Sequence, residues 1–334
     1  MYTKIIIKKS YLHSLVTRRF VSSFASLNKA MKVAVVGSGI SGAVCASVLA
    51  KNGVAVTLFD SARGPGGRMS QRREISEDGK ELLFDHGAPY FTVSNPDVLE
   101  LVHEWESGGL VAEWKVNFSS FDCVSSKFVD IQQDGISKKY VGVPGMNSII
   151  KALCRQPDLT FAPELAAKLE DIPVNPCFAL LLAFAEPLSL IPVKGFSFQN
   201  SRVLSWAHCD SSKPGRSTAS ERWVLHSTAE YAKSVIAQTG LQKPSDETLC
   251  KVAEEMFQEF HSIGLTTSLP VFRKAHRWGS AFPATSIARE EKCLWDKNKR
   301  LAICGDFCVS PNVEGAILSG LAAASKLTEI LSCL

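Results

Sequence analysis

VAVVGSGISGAVCASVLAKNGVAVTLFDSARGPGGRM, residues 33–69, is the stretch on which the reading of this chain turns. Lys32–Val36 (KVAVV) is short, apolar and β-branched, the composition of a strand buried on both faces. Gly37-Ser-Gly39-Ile-Ser-Gly42 follows, and then Ala43–Lys51, rich in helix formers. Val54–Phe59 returns to strand composition and closes on Asp60, eighteen residues past Gly42. In a dinucleotide site each part has a task. Gly37 permits the tight turn, Gly39 lets the backbone approach a pyrophosphate, and Gly42 lets the helix pack close to the strand. Free N–H groups at the helix start hold phosphate charge. Asp60 is placed to accept from a ribose hydroxyl, which disfavours a 2′-phosphate and suits FAD or NAD better than NADP. A lone GxGxxG is a weak signal; strand, motif, helix, strand and acid in that order is a strong one.

A second glycine cluster, Arg63-Gly-Pro-Gly66-Gly67-Arg68-Met69, comes directly behind Asp60. By itself GPGG reads as a surface turn. Six residues past a ribose acid, it suits a loop passing close to phosphates, with the Arg68 guanidinium as a forked partner. An NAD dehydrogenase has no need of such a loop, whereas a flavin dinucleotide is approached from two sides. Near the other end, Leu301–Cys304 is another buried-type strand, followed by Gly305-Asp306, Val313-Glu314-Gly315-Ala316 and the small-residue helix Ile317–Leu331. Taken alone this is an amphipathic end helix. As partner of the first motif, its Gly and Ala start lets a helix end approach a ring, where its dipole favours negative charge.

Residues 1–30 carry six basic residues, five Ser and no Asp or Glu. A cationic, Ser-rich, acid-free leader reads as a disordered organellar transit peptide. A mitochondrial address is expected, with the plastid or an address-free basic tail as alternatives. Without those six, 31 basic residues face 33 acidic ones, so the basic character belongs to the leader. No Lys/Arg run with interleaved aromatics remains, and no nucleic-acid partner is expected. The longest apolar run, Cys177–Ala185, has nine residues, far short of a membrane span. Ten scattered cysteines without a CxxC point to buried thiols in a reducing compartment and to no metal site.

The motifs GSGISG (37–42), FDSARGPGGRM (59–69), FDHGAPYF (84–91), GVPGMNSIIKAL (142–153), NPCFALLLAF (175–184), AHRWGSAFP (275–283) and CGDFCVSPNVEGAILSGLAAA (304–324) resemble the flavin amine oxidase superfamily, most closely its renalase-like branch. The resemblance implies an α/β fold: a Rossmann-like FAD-binding domain of amine-oxidase type with an inserted, mainly antiparallel β substrate domain. Residues 31–90, 142–175 and 285–334 would form the first domain, and 91–141 with 176–284 the second. FAD would be held non-covalently. Ser41 and Arg68 would meet the pyrophosphate, beside Ile40 and Met69 of the same motifs. Gly87, Ala88, Pro89 and Tyr90 would border the flavin ring. Gly305, Asp306 and Val313–Ala316 would hold the ribityl chain and pyrimidine edge.

The pattern breaks between Leu153 and Pro176, where such proteins place a hairpin and a further parallel strand. Here Pro157 stops the incoming helix, Ala162–Leu169 reads as one short helix, and no strand is expected. An internal segment of the sheet, near 154–175, is therefore expected to be missing. On the substrate side, Phe178–Phe184, Ser201–His208, Arg222–Thr228 and Leu269–Arg277 read as strands, Asp246–Phe260 as a covering helix, and Ser211–Ser220 as a polar, mobile loop. Lys274, His276, Arg277 and Trp278 cluster at a strand end that the resemblance puts beside the ring. Lys274, His276 and Trp278 are the catalytic candidates, against a plain reading as a packed strand end with solvated charges. His86 reads as structural. The expected activity is hydride transfer from a small reduced substrate, an amine or a dihydronicotinamide, to FAD. The alternative is an inactive flavin-fold remnant or splice isoform. Neither substrate, electron acceptor nor oligomeric state is legible.

Overall fold

The computed structural model describes residues 3–8, 32–60, 62, 64–132, 138–155, 158–161, 174–266, 268–297 and 300–332. In chain order the strands are β1 (Thr3–Lys8), β2 (Lys32–Val36), β3 (Ala55–Asp60), β4 (Gln71–Ile75), β5 (Glu81–Asp85), β6 (Val111–Glu113), β7 (Phe118–Asp122), β8 (Lys127–Gln132), β9 (Tyr140–Gly142), β10 (Asp158–Phe161), β11 (Val174–Phe184), β12 (Gly195–Gln199), β13 (Leu204–Cys209), β14 (Glu221–Ser227), β15 (Phe272–Pro283), β16 (Leu294–Asp296) and β17 (Leu301–Cys304). The helices are α1 (Ile40–Lys51), α2 (Pro96–Ser107), α3 (Asn147–Leu153), α4 (Ala229–Thr239), α5 (Asp246–Ser262), α6 (Asp306–Val309) and α7 (Val313–Ser332).

One sheet, ordered β10-β3-β2-β1-β17-β16, carries both terminal motifs. Val33 and Val35 of β2 are buried beneath α1, whose Ala43, Val44, Cys45, Ala46 and Leu49 are buried in turn. α7 lies on α1 so closely that a Cβ at Gly320 would collide with the Ser41 carbonyl oxygen. Gly320 thus serves helix packing. The start of α7 is capped by Asn312, whose side chain accepts from the Gly315 N–H at 2.7 Å.

Two expectations are corrected in this sheet. Residues 3–8, inside the leader expected to be disordered, form β1; residues 9–31 lie outside the described set. β1 pairs antiparallel with β2 on one side and β17 on the other. It therefore sets the parallel strands β2 and β17 two strand spacings apart, about 9.5 Å. The stretch expected to hold no strand supplies β10, which runs parallel to β3 from Asp158↔Thr57 to Phe161↔Asp60. Four residues suffice at a sheet edge, which is why composition did not reveal it. The helix expected over Ala162–Leu169 lies outside the described residues.

The other large sheet is ordered β15-β11-β14-β13-β12-β7-β8. β11, second in that order between β15 and β14, is buried on both faces because alternate residues meet different layers. Phe178, Leu180, Leu182 and Phe184 pack with Met256, Phe257 and Phe260 of α5. Ala179, Leu181 and Ala183 pack with Leu82 and Phe84 of the β4–β5 hairpin. Each large side chain so buried contributes about 1.5–3 kcal/mol, and the hairpin is thereby fixed on the sheet's inner face. α2, expected with the substrate sheet, instead shares a core with α1 and α7 through Val98, Val102 and Trp105. Asn95 caps it, accepting from the Asp97 and Val98 N–H groups. The loop after β13 is pinned: Asp210 and Lys213 are buried, against the expected mobility.

Candidate functional site

The two glycine clusters touch. The Gly66 N–H donates to the Ser38 carbonyl at 3.0 Å. Gly67 sits at φ +54° with its Cβ position only 3.2 Å from the Gly39 Cα, so a side chain there meets both strain and a neighbouring backbone. Asp60, buried at the end of β3, accepts from the Ser38 N–H at 2.6 Å and the Ser38 hydroxyl at 2.5 Å. Its other oxygen accepts from the Ala62 N–H at 2.7 Å. The carboxylate read as a ribose acceptor thus also shapes the first glycine loop. No side chain caps α1 at Gly39, and a Cβ built on Gly39 has nothing within 4 Å. An uncapped helix start opening on free space is the geometry that takes a phosphate. Ile40 and Met69 turn their side chains into the main core and can offer only backbone.

Arg68 ties the chain's distant parts together. Its terminal nitrogens grip both oxygens of Asp306 at 2.7 and 2.6 Å, and one also donates to the Ala281 carbonyl at 3.0 Å. Its own carbonyl accepts from the Ala88 N–H at 2.8 Å. A Cβ at Gly87 would collide with that carbonyl oxygen, so the Gly87–Ala88 backbone lies directly on Arg68 of the second glycine loop. The Gly305 N–H donates to Ser319 Oγ at 3.0 Å, seating β17's end on α7. Glu314 points elsewhere, accepting from the Ser94 N–H at 2.7 Å and the Asn95 N–H at 2.6 Å. It locks α7 to α2, while Val313 and Ala316 are buried in the core. Asp60, the glycine loops, Arg68 and Asp306 form one connected group; Glu314 bonds instead to Ser94 and Asn95.

The catalytic candidates separate. Alternation along β15 puts Lys274, His276 and Trp278 on one face, while Arg277 turns away to the Gly240 and Leu241 carbonyls. Lys274 donates to Glu74 at 2.9 Å and is 43% exposed, a surface ion pair. His276 and Trp278 both lie against His86, ring centroids 4.8 Å away in each case. The His86 carbonyl accepts from Trp278 Nε1 at 3.0 Å and from His226 Nε2 at 3.1 Å. Burial, reinforced by the His276 and Arg72 charges, depresses His86 to about 3. Burial likewise takes His226 and His276 to about 4. All three imidazoles are neutral at pH 7.

Several site residues escaped the sequence reading. Tyr90 opens an aromatic cluster with Phe118 at 5.1 Å, Trp206 at 6.0 Å and Trp114 at 6.2 Å. Gln71 Nε2, His86 Nδ1, Trp114 Nε1 and Trp206 Nε1 are buried without a hydrogen-bond partner among the described residues. Orphaned buried nitrogens cost about 1–3 kcal/mol each, and here they flank the Arg68–Gly87 contact and Tyr90, where a polar ring would use them. His86 lies inside the quoted motif 84–91 and was read there as structural, and Gln71 follows the motif 59–69 by two residues, so proximity to a motif was an available signal; Trp114 and Trp206 had none. Among the described residues no group of three or more His, Cys, Asp or Glu is placed to hold a metal ion, and no helix is long and apolar enough to cross a membrane.

Residues 35–105 match the NAD(P)-binding Rossmann-like domain family. Over 75 residues, 22% of this chain, it is 39% identical to the mitochondrial protoporphyrinogen oxidase of Nicotiana tabacum. Over 78 residues, 23% of the chain, it is 44% identical to a 4,4'-diapophytoene desaturase of Staphylococcus haemolyticus. Either match spans 14% of the relative's own length. Among solved structures, wild-type putrescine oxidase bound to putrescine aligns with 89% of this chain and 98% of its own, at a TM-score of 0.54 and 12% identity. A single-substitution mutant of that enzyme aligns over the same shares at 0.55 and 12% identity. At that identity the likeness is one of fold. The chain therefore carries a Rossmann-like NAD(P)-binding domain within an amine-oxidase fold.

Proposed function

We propose that this chain is an FAD-dependent oxidoreductase of the amine oxidase superfamily, in its renalase-like branch, acting on a small reduced substrate. One observation carries the reading: two glycine loops from one end of the chain and Asp306 from the other meet through Arg68, beside an uncapped helix start with open space at Gly39. The chain's residues fit FAD. The α1 start and the Gly66–Gly67 loop would face the diphosphate, Asp60 the ribose, Asp306 the ribityl chain, and Gly87–Tyr90 the ring, with the orphaned nitrogens of Gln71 and His86 as donors to it. Bound there, FAD would supply a hydride acceptor for an amine or a dihydronicotinamide, with oxygen or another acceptor as the final sink for the electrons. Tyr90, Trp206 and Phe118 would wall the substrate side. The neutral His86 and His276 would add hydrogen-bonding capacity without charge, and Trp278 would hold His86 in place.

The basic leader supports a mitochondrial location, with the plastid as the alternative, and the tobacco relative's printed name agrees with the first. β1 lies inside that leader, so processing after Lys8 would remove a strand from the sheet. The test of the main reading is the visible spectrum of the purified full chain after incubation with FAD and gel filtration. Two flavin bands that acid releases support it. A colourless protein refutes it.

A further inference from the structure

The loop joining β13 to β14 drives charged side chains into a seam against the β4–β5 hairpin and the turn after β9. Lys213 Nζ lies 2.7 Å from Asp210 Oδ1 and 3.2 Å from Asp85 Oδ2, with all three side chains no more than 1% exposed. Arg216 also pairs with Asp85 Oδ2 through Nη2, and its Nη1 donates to the carbonyls of Gly142, Pro144 and Pro214. The other Asp85 oxygen accepts from the Met146 N–H at 3.1 Å. Among the described residues Arg222, also buried, donates only to neutral oxygens of Ser217 and Ser220. Three buried cations thus face two buried carboxylates, an excess of one positive charge even with both acids ionised.

Buried ion pairs are a poor cement, since packed apolar residues of similar size hold as well or better. What the ions add is direction and field, and in a low-dielectric seam that field reaches far. Asp85 is bonded directly to His86, the head of the segment whose Gly87–Ala88 backbone lies on Arg68. Burial works against the Asp85 carboxylate, but the Lys213 and Arg216 charges outweigh it and keep its pKa below the usual range.

We propose that Lys213 and Arg216 are positioning residues. Through Asp85 they set the His86–Tyr90 segment against the substrate sheet, and the surplus positive charge of the cluster they form with Arg222 makes a bound flavin easier to reduce. This rests on the flavin reading above. The test is a dithionite titration of the FAD-loaded full chain against indicator dyes, with amide hydrogen exchange across residues 86–90 as a second readout. Lys213→Met takes the seam from one surplus charge to none. Its reduction equilibrium is expected to fall about tenfold, equivalent to about 30 mV for a two-electron couple. Asp85→Asn takes the surplus to two, and its potential is expected to rise. Exchange across His86–Tyr90 rises in both.

Opposite shifts establish the charge effect, because general loosening would move both variants the same way. If only one variant retains flavin, the sign of its shift decides. Equal, absent or same-sign shifts overturn the proposal, as does loss of flavin from both variants, which would make the cluster structural. A wild-type chain that takes up no FAD ends the flavin reading instead, before any variant is compared.

Discussion

Acid should weaken this fold well before its carboxylates titrate. His86 and His226 are buried, with folded pKa values of about 3 and about 4, against about 6.5 in an unfolded chain. The unfolded state therefore takes up protons first, and stability falls as pH drops below about 6.5 until the folded values are reached. Between pH 7 and pH 5 each imidazole removes about 2 kcal/mol, so the pair removes about 4 kcal/mol. His208, which burial and the Lys213 charge push well below its ordinary value, adds in the same direction. Asp85, whose folded pKa is depressed, loses its contribution only at still lower pH. For a domain stable by about 5–15 kcal/mol, the histidine loss is large. Urea titrations at pH 7 and pH 5, with FAD held at one concentration, measure it directly. His226→Gln, which can still donate to the His86 carbonyl, should shrink the pH difference by about 2 kcal/mol. Equal stability at the two pH values, or an unchanged difference in the variant, would refute the reasoning.

Gly39→Val should leave melting within about 1 kcal/mol of wild type, because nothing lies within 4 Å of its Cβ, while abolishing the flavin bands; bands that survive put the diphosphate elsewhere. Gly87→Ala drives a methyl into the Arg68 carbonyl and should cost about 1–3 kcal/mol in urea unfolding, with weaker FAD retention. Arg68→Gln leaves the buried Asp306 without its forked partner; partial exposure of Arg68 limits the loss to about 1–3 kcal/mol, read by thermal melting. Ile6→Pro removes a backbone donor from β1 between β2 and β17, and about 3 kcal/mol of stability should go with it. An unchanged melting curve would place β1 outside the sheet.

Much of the dinucleotide half was legible because its signals are local. A strand, a glycine turn, a helix and an acid need only a few tens of residues, and each residue type is forced by backbone geometry at its own position. Hence Gly37–Gly42, Asp60 and the Gly66–Arg68 loop come together as their spacing implied. The inner sheet was legible for the same reason, since a nine-residue apolar run such as Cys177–Ala185 has to be covered on both faces. What composition and spacing do not encode is partnership across the chain. Nothing near Arg68 announces Asp306, 238 residues away. Nothing in a polar loop announces that Lys213 will be buried on Asp85. β1 and β10 likewise depend on neighbouring strands to pair with, and their own short sequences carry no such demand. Local backbone chemistry wrote the motifs. Tertiary packing alone decided which charges were buried together, because pairs such as Arg68–Asp306 and Lys213–Asp85 join segments far apart in the chain.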